Sequence, residues 1–193
     1  LWSPDGTRIA YLAEGQPKGS QLWVRWMDAE GAQMQITRVD RAPGGIAWAP
    51  NGQSIAFTML VPKKDSWNIK MPARPDGAKW TENPRIIERM NYRRDRIGFI
   101  EEGTRHVFVV TASGGTPRQL SSGDFEHGTA ISWTPDGREI LFSGLRTDDW
   151  EYQWSESEIY AVNTADKTIR QLTKRKGPDT GPEVSPDGKW VAY

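Results

Sequence analysis

Along this chain, short apolar bursts follow Pro/Asp/Gly phrases. Ile9-Ala10-Tyr11, Ile55-Ala56-Phe57, Ile140-Leu141-Phe142 and Val191-Ala192-Tyr193 each set a β-branched residue and an aromatic two positions apart. A spacing of two puts both side chains on one face of a pleated strand, so each burst predicts a strand with a buried face. Each burst begins three residues after a glycine, in the phrases Trp2-Ser3-Pro4-Asp5-Gly6, Trp48-Ala49-Pro50-Asn51-Gly52, Trp133-Thr134-Pro135-Asp136-Gly137 and Val184-Ser185-Pro186-Asp187-Gly188. Pro fixes φ before a corner, Asp or Asn bonds its own backbone, and Gly accepts the positive φ that closes a tight reversal. The recurring unit is therefore a hairpin.

The turn acids stand at 5, 51, 136 and 187, at intervals of 46, 85 and 51 residues. The doubled interval contains Tyr92-Arg93-Arg94-Asp95-Arg96 and then Ile97-Gly98-Phe99-Ile100, read as an eroded copy that brings the intervals to 46, 44, 41 and 51. Further strands fall between the turns: Leu22-Trp23-Val24-Arg25-Trp26, His106-Val107-Phe108-Val109-Val110, Glu158-Ile159-Tyr160-Ala161-Val162 and, more weakly, Trp67-Asn68-Ile69-Lys70-Met71. Two of them run through polar turns into matching endings, Arg118-Gln119-Leu120 and Arg170-Gln171-Leu172. A self-similar period of roughly 40 to 50 residues with about four strands per unit predicts an all-β fold, a segment of a β-propeller made of four-stranded antiparallel blades. The units expected are about 1–47, 48–91, 92–132 and 133–183, with 184–193 beginning another in the same phase as 1–12. That overlap predicts about four blades of a larger propeller of about seven or eight.

Composition narrows the partners. The formal net charge is zero, with 25 basic and 25 acidic residues, so no global field favours nucleic acid or an anionic membrane. No apolar stretch approaches the roughly 18 residues of a membrane span. The absence of cysteine excludes disulfides and thiol chemistry and fits a cytoplasmic or a periplasmic setting equally. Ten Trp and a hydrophobic share of 36% are enough for a core, and Trp2, Trp48, Trp133 and Trp190 are read as packing between blades.

A complete catalytic apparatus is not visible. No Gly-x-Ser-x-Gly elbow occurs, and the two histidines, His106 and His127, have no nucleophile or metal-ligand partner at motif spacing, so both are read as structural or solvated. Asp5, Asp136 and Asp187 are turn residues rather than metal ligands. Asp148, Asp149, Glu151, Glu156 and Glu158 lack the alternation of a calcium loop. The run Arg89, Arg93, Arg94 and Arg96 is interrupted by Asp95 and followed by Glu101-Glu102, against a nucleic-acid role. No cofactor or metal is expected. The irregular region between Val61 and Glu102, with a second Pro75-Asp76-Gly77 turn, interrupts a regular scaffold, and such insertions are where binding concentrates.

The Trp-Ser-Pro-Asp-Gly-x-x-Ile-Ala-Tyr phrase resembles the hairpin propellers of TolB and of the prolyl oligopeptidase family of serine peptidases. Tyr92-Arg93-Arg94-Asp95 through Phe99, Gly114-Gly115-Thr116-Pro117-Arg118-Gln119-Leu120 and Arg146-Thr147-Asp148-Asp149-Trp150-Glu151-Tyr152 are similar to the acylaminoacyl-peptidase and dipeptidyl-peptidase branch of that family. The resemblance implies a propeller that gates a catalytic α/β-hydrolase domain, absent from this chain, and that helps bind short peptides losing an N-terminal acyl-amino acid or dipeptide. It implies Tyr92, Arg94, Asp95, Glu101 and Glu102 as substrate-binding residues, with two readings of the paired glutamates: holders of a free α-amine, or a solvated hairpin turn before Gly103. The partners it implies are a short peptide, the protein's own C-terminal hydrolase domain and, in oligomeric members, further copies. The branch commonly has Gly after the Tyr-Arg-x-Asp acid, where this chain has Arg96, so a different local turn is expected there. The alternative resemblance is a non-catalytic TolB-like propeller that docks a protein or peptide.

Overall fold

The computed structural model describes residues 1–63, 72–79, 81, 85–153 and 155–193. Among them the fold is all-β. The strands are β1 (Arg8–Gly15), β2 (Gly19–Trp26), β3 (Gln33–Gln35), β4 (Gly44–Trp48), β5 (Ser54–Pro62), β6 (Arg93–Arg94), β7 (Gly98–Phe99), β8 (Gly103–Thr111), β9 (Arg118–Gln119), β10 (Glu126–Trp133), β11 (Glu139–Leu145), β12 (Glu158–Asn163), β13 (Ile169–Gln171), β14 (Glu183–Val184) and β15 (Val191–Ala192). They form antiparallel sheets in the orders β1-β2-β3, β4-β5-β8-β9, β10-β11-β12-β13 and β14-β15, plus the separate hairpin β6-β7.

One expectation is corrected. Units 48–91 and 92–132 are a single sheet, because β5 and β8 pair without a break from Ser54↔Thr111 to Pro62↔Gly103. The described arc is therefore three sheets and the opening pair of another, rather than four full units. Tyr92 to Phe99 is not an eroded blade hairpin; it belongs to an arm inserted between two neighbouring strands. Loop-closure entropy grows only logarithmically with length, so a long excursion is tolerated when the ladder at its base is buried and complete. The weaker strand candidate at Trp67 to Met71 lies outside the described residues.

Period-two alternation explains the stacking. On β5, Ile55 and Phe57 join Phe108, Val110, Leu22 and Val24 in one core, whereas Ala56 joins Val107, Val109, Ile140 and Phe142 in the next. Leu141, Ile159 and Ala161 then face Val184 and Val191. Each central strand is apolar on both faces because a sheet lies on either side, and Phe57 and Phe142 are fully buried.

The repeated phrase also links the sheets. Trp48 Nε1 donates to the Leu1 carbonyl and Trp133 Nε1 to the Ala47 carbonyl, each at 3.1 Å, and the acceptors occupy the same place in successive repeats. Where Val184 replaces the aromatic, its backbone N–H donates instead to Ser132 Oγ, on the residue before Trp133, at 3.1 Å. Trp2 and Trp190 depart from the packing expectation, being 57% and 75% exposed: they lie on the two outermost described sheets, with no sheet over them. The turn glycines Gly6, Gly52, Gly137 and Gly188 all hold φ between +66° and +70°. At Gly45, φ +54°, the backbone of β4 passes so close to that of β10 that an added Cβ would stand 1.7 Å from the Thr129 carbonyl oxygen.

Candidate functional site

The strands present two unlike ends. One end carries the repeated turns, whose acids are used locally. Asp5 accepts from Ser3 Oγ at 2.6 Å and from Thr7, Asp136 from Thr134 Oγ1 at 2.6 Å, and Asp187 from Ser185 Oγ at 2.6 Å. These hydroxyl bonds, with the backbone N–H two residues on, hold all three carboxyls below the usual carboxylate range. The turn reading of these acids agrees with that geometry.

The other end carries the connections after β3, β5, β9, β11 and β13, and here the charges are paired over long sequence separations. The arm returns to the sheet at Glu101 and Glu102. The Glu101 carboxylate is gripped by Arg41 Nε at 2.9 and 2.8 Å and also by its Nη2, and this carboxylate raises the Arg41 pKa. The Glu102 carbonyl accepts from Lys63 N at 3.0 Å, extending the ladder beyond β5. Lys63 Nζ in turn reaches Glu88 at 2.8 Å. Across the arm, the Arg89 side chain is only 10% exposed. It bonds Asp124, lies 3.7 Å from Glu151 and stacks 5.1 Å from the Trp150 ring, while Met90 N donates to Glu151 Oε2 at 3.1 Å. The inserted arm is thus strapped to the connections of the sheets on either side.

Before its return the arm forms the β6-β7 hairpin. Tyr92 packs on Phe99 with centroids 6.2 Å apart, and Arg85 lies 4.0 Å over the Phe99 ring. Arg94 and Asp95 are exposed at its turn. Arg96 holds φ +65°, the left-handed conformation that glycine would supply. The expectation of a different turn is corrected in that respect: the substitution keeps a glycine-like backbone and takes on its strain. Of the five residues singled out in the sequence, Tyr92, Arg94 and Asp95 share the hairpin, and Glu101 and Glu102 stand at the arm's return, with Glu101 already engaged.

Sequence reasoning missed Arg41, Asp124, Glu126 and the chemistry of Arg146. Half-buried Glu126 opens β10; burial pushes its carboxyl up, against the pull of Arg105, Arg89 and Arg94. His106 and His127 pack between the second and third sheets with ring centroids 5.1 Å apart. His127 Nδ1 donates to the Arg105 carbonyl, leaving Nε2 as the lone pair that accepts from Arg146 Nη1 at 2.8 Å. His106 bonds Thr104 Oγ1 and Ser121 Oγ, each at 3.1 Å. Burial depresses their pKa values to about 4 and about 3 respectively, with the Arg146 charge adding to both shifts. Both rings are neutral near pH 7, which fits the structural reading. The acidic group 148–158 is dispersed: Glu151 serves Met90, Glu156 accepts from Gly177 N, and Glu158 accepts from Thr173 Oγ1 and Arg175 N.

Sheets stacked face to face, opened by one repeated turn and tied indole to backbone, define a β-propeller arc. The chain belongs to the family described as the dipeptidyl peptidase IV (DPP IV) N-terminal region, which matches residues 16–193. It is similar to dipeptidyl-peptidase 5 of Porphyromonas endodontalis, 29% identical over 210 residues covering 100% of this chain and 28% of that protein. Among solved structures it is similar to the Pyrococcus horikoshii acylaminoacyl peptidase, with TM-score 0.61, 15% identity, 90% of this chain and 24% of that one. It is also similar to TolB from Acinetobacter baumannii, with TM-score 0.60, 18% identity, 99% of this chain and 35% of that one. The chain spans between 22% and 29% of the first curated relatives it matches.

Proposed function

We propose that this chain is the propeller segment of a serine peptidase, gating and helping to bind short peptides whose N-terminal acyl-amino acid or dipeptide is removed by an α/β-hydrolase domain outside this chain. Membership of the dipeptidyl peptidase IV N-terminal family carries the reading. The reading assigns a division of labour: the stacked-sheet scaffold serves as the gate, and the strapped arm offers recognition groups at one end of it. Preorganised groups lose less entropy on binding than mobile ones. On this reading Tyr92, Arg94 and Asp95 contact the peptide from the hairpin. Glu101, neutralised by Arg41, orients the arm's return, and Glu102, which makes no close ion pair among the described residues but feels the charge of Lys63, attracts a free α-amine.

Labelling of the full-length protein with a fluorophosphonate serine probe tests the catalytic half, and hydrolysis of alanyl peptides with free or acetylated N-termini tests the recognition half. Labelling with a free-amine preference that falls in Glu102→Gln supports the full reading. A folded full-length protein that neither labels nor hydrolyses peptides refutes it, in favour of a binding propeller of the TolB kind. That second reading draws on the TolB fold likeness across 99% of the chain.

A further inference from the structure

Arg146 follows β11 at the end of the arc that carries the arm, and it is half-buried. Its guanidinium lies 4.6 Å over the Phe125 ring and 5.9 Å from that of Tyr160. Nη1 spends both hydrogens, one on the Ser122 carbonyl at 3.2 Å and one on His127 Nε2 at 2.8 Å. Nearby Arg41, Lys63 and Arg89 each have an acid; Arg146 makes no ion pair among the described residues. Its Nε and Nη2 donors have no partner there either, and Gly123, which has no side chain, lies beside Nη2. Taking a guanidinium out of water without an anion is unfavourable, and a neutral imidazole does not compensate it. Nε and Nη2 form the side-on edge of the guanidinium, whose two parallel N–H groups match the two oxygens of a carboxylate.

We propose that Arg146 is the floor of a carboxylate-binding subsite, in which Nε and Nη2 hold a carboxylate side-on while Phe125, Ser122 and His127 fix the plane of the guanidinium. The choice of a peptide as the carrier of that carboxylate rests on the peptidase reading above; the carboxylate itself does not. Two sources share the chemistry, the peptide's C-terminus and an acidic side chain near it. His127 acts as a positioning residue: its Nε2 must stay unprotonated to accept from Nη1.

The test is equilibrium binding to the full-length protein after fluorophosphonate treatment, which removes serine hydrolysis and leaves Arg146 untouched. The probes are acetyl-Ala-Ala-Ala with a free C-terminal carboxylate, the same peptide as its C-terminal amide, and acetyl-Ala-Glu-Ala amide. The free acid or the Glu-containing amide binds about tenfold more tightly than the plain amide, as a charge-assisted bidentate pair predicts, and whichever does so identifies the source. The preference falls to near unity in Arg146→Gln and survives in part in Arg146→Lys, which keeps the charge and loses the fork. Equal binding of all three peptides by the wild-type protein would overturn the proposal, as would an unchanged preference in a folded Arg146→Gln. If Arg146→Gln does not fold, the wild-type comparison and Arg146→Lys decide. Absence of fluorophosphonate labelling with the carboxylate preference intact would remove the peptidase reading and leave the subsite standing.

Discussion

At one end of the strands, Asp5, Asp136 and Asp187 each close hydrogen bonds with residues two positions away. At the other, Glu101 reaches Arg41 across 60 residues and Glu151 reaches Met90 across 61. Both ends are rich in acids and bases, and their difference lies in what each charge is bonded to. Local bonds make each turn self-sufficient and therefore repeatable, so the turn end can tie one sheet to the next at the same place in each repeat. Long-range bonds make the other end depend on the assembled arc, and that is where an inserted arm can be held in one place. The lesson is that the repeat builds a scaffold whose irregular end is free to specialise.

The comparison breaks most sharply where two backbones touch. Gly45→Val should cost about 3 kcal/mol or more, or abolish folding of the full-length protein, because a Cβ has no room beside Thr129 and the left-handed backbone excludes a branched residue. A urea midpoint unchanged from wild type would show that the inner strands are not in contact.

Acid comes next. Both histidines are depressed from their unfolded value of 6.5, His106 to about 4 and His127 to about 3. The unfolded chain binds the extra protons, so this stability is complete above about pH 6.5 and is lost as pH falls toward pH 4 and then 3. The expected slope is about 1.4 kcal/mol per pH unit for each histidine. Thermal melts between pH 7 and pH 4.5 should show it, and a shallower slope in His127→Gln would assign it.

A smaller effect separates arm from scaffold. Arg89→Ala should loosen the arm by about 1 kcal/mol through loss of its acid and Trp150 contacts. Hydrogen exchange should rise severalfold in residues 85–100 and stay unchanged in β5 and β8; equal acceleration everywhere would mean that arm and sheets unfold as one. The smallest effect has the opposite sign. Arg96→Gly should stabilise the hairpin by up to about 1 kcal/mol by releasing the left-handed strain at φ +65°, and slower exchange at Ile97 and Ile100 would register it.

The scaffold was legible because its signals are local. Ile55, Ala56 and Phe57 alternate, and the same chemistry recurs after each Pro/Asp/Gly turn, so strands, turns and stacking followed from a few residues each. The count of units failed at Tyr92 to Asp95, because an aromatic followed by an acid at the right spacing marks a hairpin equally well inside a blade or on an inserted arm. The pairing of Ser54 with Thr111, which decides between them, is a long-range fact with no local marker. The candidate site was visible only as an irregular region. Arg89 read as one member of a basic run, and nothing near it in sequence names Asp124 or Trp150 as its partners. Arg146 read as part of a resemblance, since unused donors on a guanidinium appear only once its neighbours are placed.

Hydrogen exchange of the full-length protein, free and after reaction with alanyl-phenylalanyl chloromethyl ketone, tests most directly whether the arm-bearing end is the working end. The account predicts added protection at residues 85–102, 122–126 and 146–152, with none at the turns 49–52, 134–137 and 185–188. Protection confined to those turns, with the arm unchanged, would contradict it.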